Sequence, residues 1–494
     1  MFVAFEGNQT RGLAFRVPRP EFGRQMKPME GVEEKQRPDP FIKIFAAAAM
    51  VVAVLAVPVS AQTSTRTAAD RDRSHASVDV VVAWNVTLVD ALLASATAPQ
   101  PGTRVGAIVQ TAVFDAVNGI TQRYAQYRSD ALGTTAPRDA SAKAAAVGAA
   151  YTALVALFPT QKATFDAQLT ATLPQKARSS VDRGFAWGQT VANAILALRS
   201  TDGFTAVLSP YVAGALPAWQ PVLPAFAGPV FRQFATMTPW AMSSPSQFLP
   251  APPPPLTSPR YAQDLSEVRS IGSLTSSTRT PDQTAAAQFW AGKVDTVATL
   301  WNRAADSLAQ TGKHGDSHEG EDSGNSLTDH ARLFALLNIG MADAVIAVWN
   351  AKNTYNTWRP LAAIANAGVH DSSGTSPDTL WRPLLPTPPH QEFPSGHSGA
   401  SAAATDVLAA FFGSHRSFSI SSDGVPGAAT TTRSYSSFSD AISEVGFARI
   451  AAGIHFRFAC DAAMQMGDQI AARAMSTQLL PLHGDGNDDD GGND

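Results

Sequence analysis

Apolar residues recur at intervals of three and four along eight alanine-rich stretches, around 79–97, 103–119, 138–157, 176–199, 281–311, 326–351, 395–412 and 438–478. Helices with one buried face require that period, and no series of alternating residues marks out a sheet. The fold class expected is all-α. With 494 residues and 45% hydrophobic content, the chain can enclose a large core. A Pro- and aromatic-rich section carrying Trp219, Phe226, Phe231 and Trp240 divides the helical stretches. The reading is therefore one helical domain over 79–482: a first bundle at about 79–204, an irregular connection packed over the core at about 205–280, and a second bundle at about 281–482.

The ends read differently. Lys43 precedes an apolar run from Ile44 to Val59, and Val59-Ser60-Ala61 before Gln62 has the small residues of a cleavage site. Residues 1–61 are expected to be a leader with a signal peptide and 62–78 a flexible lead-in, which implies an exported protein, periplasmic or secreted. The polar stretch before Lys43 is long for a leader, so Met26 or Met29 is a candidate start. Residues 483–494, acidic and without an apolar residue, form an expected disordered tail. No apolar run of transmembrane length is read after the leader, so no transmembrane domain is expected. A net charge of −4 suggests no affinity for nucleic acid. The single cysteine, Cys460, excludes an intrachain disulfide and a cysteine-based zinc site, and reads as a small core residue. His314, His318 and His330 lie near the acidic segment Asp316–Asp322 at irregular spacing, which favours a solvated loop over a metal site.

Three separated segments carry the chemistry: Lys352…Arg359-Pro360, Pro394-Ser395-Gly396-His397 and Arg449…His455. Lys352, Arg359 and Arg449 bring positive charge, Ser395 a hydroxyl, and Gly396 a backbone N–H at the expected start of a helix, where partial positive charge collects. One histidine can face a central atom while the other moves protons. This is a donor set for a tetrahedral oxyanion, phosphate or vanadate. Arg449 and His455 would point about 240° apart on one continuous helix, and Gly453 offers the break that brings them together. Between Lys352 and Arg359, Asn353, Thr354, Asn356 and Thr357 are poor helix formers, so a loop is expected there, with Pro360 in the first turn of a helix. Ser395 is a good N-cap for a helix through Ala400, Ala403, Val407 and Phe411 that stops at Gly413.

In order and spacing these segments resemble the superfamily that unites vanadium-dependent haloperoxidases with type 2 phosphatidic acid phosphatases, and the stretch from about Pro253 through Thr284 and the approach Trp381-Arg382-Pro383 to His390 look like its bacterial, plant-like haloperoxidases. The pattern is Lys, six residues, Arg-Pro; then Pro-Ser-Gly-His; then Ser-Arg, five residues, His, three residues, Asp. Here Ala448 replaces the Ser, and Ala459 stands where the pattern has Asp. The resemblance implies paired four-helix bundles with the vanadate or phosphate site in the C-terminal one. It implies orthovanadate as cofactor, bound by Lys352, Arg359, Ser395, Gly396, His397 and Arg449, with His455 as the ligand to the metal. It further implies oxidation of halide by hydrogen peroxide to hypohalous acid through a peroxovanadate, with His397 as acid–base and Lys352 polarising the peroxide. His390 matches a position where bromoperoxidases also carry a histidine, and is a candidate for tuning proton supply or an exposed loop residue.

The alternative within the superfamily is a soluble exported acid phosphatase acting on phosphate esters, in which His455 attacks phosphorus. It needs a carboxylate to orient that histidine, and Ala459 supplies none. A third reading is a non-catalytic oxyanion-binding protein. Pairing of helical faces into a homodimer is also possible for such a bundle.

Overall fold

Short capping residues set where the helices begin. The structure is a computed structural model, and it describes residues 79–128, 134–222, 226–292, 296–311, 323–372, 374–422 and 432–482. Asp79 accepts from the N–H groups of Val81 and Val82 at 2.9 and 3.3 Å and opens α1 (Val80–Ala94). Pro99 starts α2 (Pro99–Thr121), and the Ser141 hydroxyl caps α3 (Ala142–Leu157). Then follow α4 (Lys162–Thr172) and α5 (Arg178–Arg199). Ser258 and Pro259 open α6 (Pro259–Ile271), and a capping box of Thr280 and Gln283 opens α7 (Pro281–Phe289). The C-terminal half contributes α8 (Val297–Thr311), α9 (Ser323–Tyr355), α10 (Pro360–Ala365), α11 (Gly396–Phe412), α12 (Phe438–Ala451) and α13 (Arg457–Thr477).

The central element is α9. At 33 residues it is about 50 Å long. Its middle is buried on every side: Leu333, Phe334, Leu336, Leu337, Ile339 and Met341 are all fully buried. A helix apolar all round belongs inside a core. It packs on α2 along one side and on α11 and α13 along another, so the helices before and after the connection share it. Leu327–Tyr355 is long and apolar enough to cross a membrane, which corrects the reading that no such run exists; 94% of its apolar window is buried within the protein.

Other expectations need correction too. The 205–280 connection holds a full helix, α6, which its proline content concealed. The 281–311 stretch is two helices rather than one, and α4 lies outside the stretches read as helical. A short antiparallel hairpin, β1 (Phe418–Ser421) with β2 (Thr432–Tyr435), stands where no strand was expected. Phe418 and Tyr435 face inward on it, with Tyr435 against Trp290 and Phe418 against Trp301. His330 sits in α9, largely buried and hydrogen-bonded to Asp79, not in a solvated loop. The leader and lead-in (1–78), the tail (483–494), His314 and His318 lie outside the described residues.

Candidate functional site

The first segment is helical for longer than its composition suggests. Lys352 lies in the last turn of α9, which runs to Tyr355, so the loop expected between Lys352 and Arg359 is only 356–359. Burial of the body of the helix through Lys352 carries the half-buried Asn353 and the exposed Thr354 along despite their weak propensity. Asn356 ends it at φ +46°, a left-handed position that Asn tolerates. The connection then grips the next residues: Trp219 N–H donates to Asn356 O at 2.8 Å, and Trp358 N–H to Pro217 O at 3.0 Å. Arg359 is the N-cap of α10, extended at ψ 159° because Pro360 follows.

A strap of residues 390–395 crosses in front of these two cations. Lys352 Nζ donates to the carbonyls of Gln391, Glu392 and Pro394 at 2.7, 2.9 and 2.6 Å. An ammonium has three N–H donors, and all three are taken. Arg359 Nε donates to His390 O at 2.8 Å and its Nη2 to His390 Nδ1 at 3.0 Å. The His390 ring also packs on Trp349, 5.1 Å between centroids. Ser395 caps α11 as the sequence suggests, and its Oγ accepts from Ser398 N–H and Ser398 Oγ at 3.4 and 3.0 Å. Its own hydroxyl proton is still available to donate. Gly396 stands at N1, where a Cβ would meet the Trp349 ring at 3.1 Å, so the anion-facing amide is reached past no side chain of its own.

The third segment turns at Gly453, at φ +78°. Gly453 N–H donates to Ile450 O at 2.8 Å and Ile454 N–H to Arg449 O at 3.3 Å, a Schellman closure of α12. Arg449 therefore ends one helix while His455 precedes α13. Trp290 holds the guanidinium: its carbonyl accepts from Arg449 Nη1 at 3.0 Å, and its indole N–H donates to Glu444 at 2.9 Å. Arg449 Nε is buried without a partner among the described residues.

His455 is held on both ring nitrogens. Nδ1 is 2.9 Å from Glu392 Oε1, which also accepts from Phe456 N–H at 3.0 Å. Nε2 is 3.1 Å from Arg359 Nη1. A guanidinium only donates, so Nε2 carries the lone pair and Nδ1 the proton. Glu392 is the functional residue that sequence reasoning missed. It supplies the carboxylate that Ala459 does not, so the objection to a nucleophilic His455 falls. Asp461 points away and pairs with Arg260 at 2.7 Å. A lone Glu three residues before Ser395 was the only signal, and nothing in its spacing joined it to His455.

These parts meet at a cavity of about 570 Å³, bordered by His390, Gly396, His397, Arg449 and His455 and by apolar Val345, Trp349, Leu385 and Phe231. His397 makes no hydrogen bond with the described residues, so its imidazole answers only to the cavity. Lys352, Arg359 and Ser395 lie behind the wall, at most 1% exposed. Burial lowers the pKa of Arg359 to about 9 and of Arg449 to about 10, so both stay charged at neutral pH. It also pulls Lys352 well down, with Arg359 adding to the effect. His390, His397 and His455 are held well below the ordinary histidine range by burial and then by these cations. Burial pushes Glu392 up to about 7 against the pull of Arg359 and Lys352, and the buried Cys460 thiol to about 12.

The donor set fits a tetrahedral oxyanion. An ion pair at about 4 Å contributes on the order of 4 kcal/mol at an effective dielectric near 20. A helix N-terminus adds only about 0.3–2 kcal/mol, so an oxyanion there would gain more from the cations than from the Gly396 amide. The unpartnered Arg449 Nε is a buried donor left without an acceptor among the described residues, on a side chain that lines the pocket.

Residues 332–482, which hold every one of these side chains, match the family model described as the VCPO second helical-bundle domain. Over 149 residues the chain is 30% identical to the vanadium chloroperoxidase of Curvularia inaequalis, an alignment covering 28% of this chain and about a quarter (24%) of that protein. The fold is similar to that of the first bacterial vanadium-dependent iodoperoxidase, with a TM-score of 0.67 and 23% identity over 81% of this chain and 96% of that one. It is also similar to an apo-type bacterial vanadium-dependent chloroperoxidase, with a TM-score of 0.58 and 18% identity over 76% and 92% of the two chains. Residues 332–482 thus match the vanadium chloroperoxidase second-bundle model, the chain aligns with about a quarter of its curated relative's length, and the fold around the site is similar to that of bacterial vanadium-dependent haloperoxidases.

Proposed function

We propose that this chain is a vanadate-dependent haloperoxidase that oxidises halide with hydrogen peroxide to hypohalous acid. The observation that carries the reading is the His455 tautomer: Nδ1–H fixed on Glu392 leaves the Nε2 lone pair at a cavity ringed by buried cations. Lys352, Arg359 and Arg449 would hold orthovanadate by charge, Ser395 and Gly396 by O–H and N–H donation, and His455 Nε2 would bind the metal. Bound there, vanadate supplies Lewis acidity, drawing electron density from a peroxide without a change of oxidation state.

The protein's own residues do the rest. Glu392 holds the imidazole in its tautomer and orientation. Arg359 Nη1, now shared between His455 Nε2 and Ile454 O at 2.7 Å, yields the histidine and turns to the anion while Nε stays on His390 O. Lys352 acts through charge, because a hydrogen bond to the anion would require it to release a strap carbonyl. His397, neutral and without a protein partner, takes a proton from an incoming peroxide and returns it to the leaving oxygen. The apolar walls at Val345, Trp349 and Leu385 limit competing water. Solved structures of similar fold are named for iodide and for chloride.

Halogenation of a phenolic dye by the purified protein, assayed with and without orthovanadate and with competing phosphate, tests this. Rates independent of vanadate would refute it. One observation favours a second reading: a carboxylate on Nδ1 also suits a histidine that attacks phosphorus, giving a phosphatase with His397 protonating the leaving alcohol. A phosphate-monoester assay on the vanadate-free protein separates the two.

A further inference from the structure

Glu392 has a second face. Its Oε1 is committed to His455 and Phe456, but Oε2 is buried without a partner among the described residues, and Glu392 lines another cavity, of about 170 Å³, that shares no lining residue with the anion pocket. The rings of Tyr261, Trp358, Phe456 and Phe458 and the proline run at 253–255 form its walls. Tyr261, Phe456 and Phe458 make one aromatic surface, with centroids 5.0–6.3 Å apart. Apart from Glu392 and Thr357 the lining is apolar or aromatic, so the carboxyl is the main polar group at this space.

Size, charge and hydrogen bonding define what such a space accepts. An apolar cavity of about 150 Å³ is enough to take up benzene. The free carboxyl oxygen needs a partner, and a hydroxyl, which both donates and accepts, can supply one. Lys352 and Arg359 oppose a cation there, and Glu392 itself opposes an anion. The occupant is therefore neutral. We propose that this cavity is a binding site for a small single-ring aromatic alcohol, its ring against Tyr261, Phe456 and Phe458 and its hydroxyl donating to Glu392 Oε2. Because the other oxygen of that carboxylate holds His455, an occupant is one residue away from the catalytic imidazole.

Crystals of the full chain soaked with 4-bromophenol give a direct test, since bromine can be located by its anomalous scattering. The expected result is a bromine peak in contact with Tyr261 and Phe456. Leu256→Trp, which fills the cavity from its wall, is expected to weaken 4-bromophenol binding about tenfold or more while phosphate affinity is kept. A peak only in the pocket of His397, water alone beside Glu392, or unchanged affinity in Leu256→Trp would overturn the assignment. The wild-type soak decides even if that variant does not fold.

Discussion

His455 Nδ1 and Glu392 Oε1 lie 2.9 Å apart although 63 residues separate them in the chain. Both are almost wholly buried, at 2% and 0% exposure, so this hydrogen bond forms away from competing water. Glu392→Gln keeps a carbonyl oxygen for Nδ1–H and removes the charge. Its expected effect is a loss of vanadate affinity of about tenfold to a hundredfold, the range for partners that orient a metal-binding histidine. Glu392→Ala leaves His455 Nδ1–H and Phe456 N–H unanswered, at about 1–3 kcal/mol each, and should also lower the melting temperature. Vanadate titration beside thermal melts checks both, and equal behaviour of the two variants would remove Glu392 from the site.

The two cavity histidines should fail in different ways. His455→Ala removes the Nε2 lone pair whose tautomer Glu392 fixes, so vanadate binding itself is expected to be lost. His397→Ala removes one neutral contact and leaves the cations and His455, so some binding should persist while turnover falls by about 10²–10⁴. Separate measurement of binding and of kcat distinguishes them. Full activity in His397→Ala would show that another group moves the proton.

Local rules made much of this legible before any coordinates. The Ser395 cap, the Pro360 start and the Gly453 break each follow from the chemistry of one residue, and each places a site residue at a helix end. The helical period revealed the fold class for the same reason. What stayed hidden depends on tertiary context. Asn353 and Thr354, half-buried and exposed, remain helical because the buried body of α9 before them carries the helix on, and composition around them cannot report that. Glu392 meets His455 through a strap held by three Lys352 hydrogen bonds, a relation that no sequence interval encodes. The hairpin next to Trp290 and the helix inside the proline-rich connection were lost because short strands and proline-led helices have weak periodic signals.

The histidines predict an acid limit. His397 is neutral in the fold because burial, then Arg449 and the other cations, hold its pKa well below the ordinary value. In the unfolded chain it takes a proton near pH 6.5, so below that pH the unfolded state binds more protons and the folded state loses stability as pH falls. Buried carboxyls such as Asp115, raised to about 7, and Asp306, raised to about 8, act with the opposite sign. The informative quantity is thus the difference between wild type and His397→Asn. In the vanadate-free protein the variant should gain on wild type below pH 6.5 by up to about 1.4 kcal/mol per pH unit. Denaturant melts from pH 7 to 5 measure it, and a pH-independent difference would mean that His397 is already charged or fully solvated.

Gly453 should be intolerant of any side chain, for two independent reasons. Its φ of +78° lies in the left-handed region, where a Cβ is strained. An added Cβ would also stand 2.4 Å from Gly272 O and 2.8 Å from Pro383 Cβ, so the backbone of α12 or of the 383 segment would have to move. Either movement displaces Arg449 and His455, which lie four residues before the turn and two after it. Gly453→Ala is expected to cost more than about 1 kcal/mol of stability and to weaken phosphate and vanadate binding together, because the turn sets both ligands at once. Gly413→Ala is the control: it also has a positive φ, of +84°, at the far end of α11, but nothing lies within 4 Å of its added Cβ. If both variants lose stability equally and neither loses anion affinity, the Gly453 turn does not position the site.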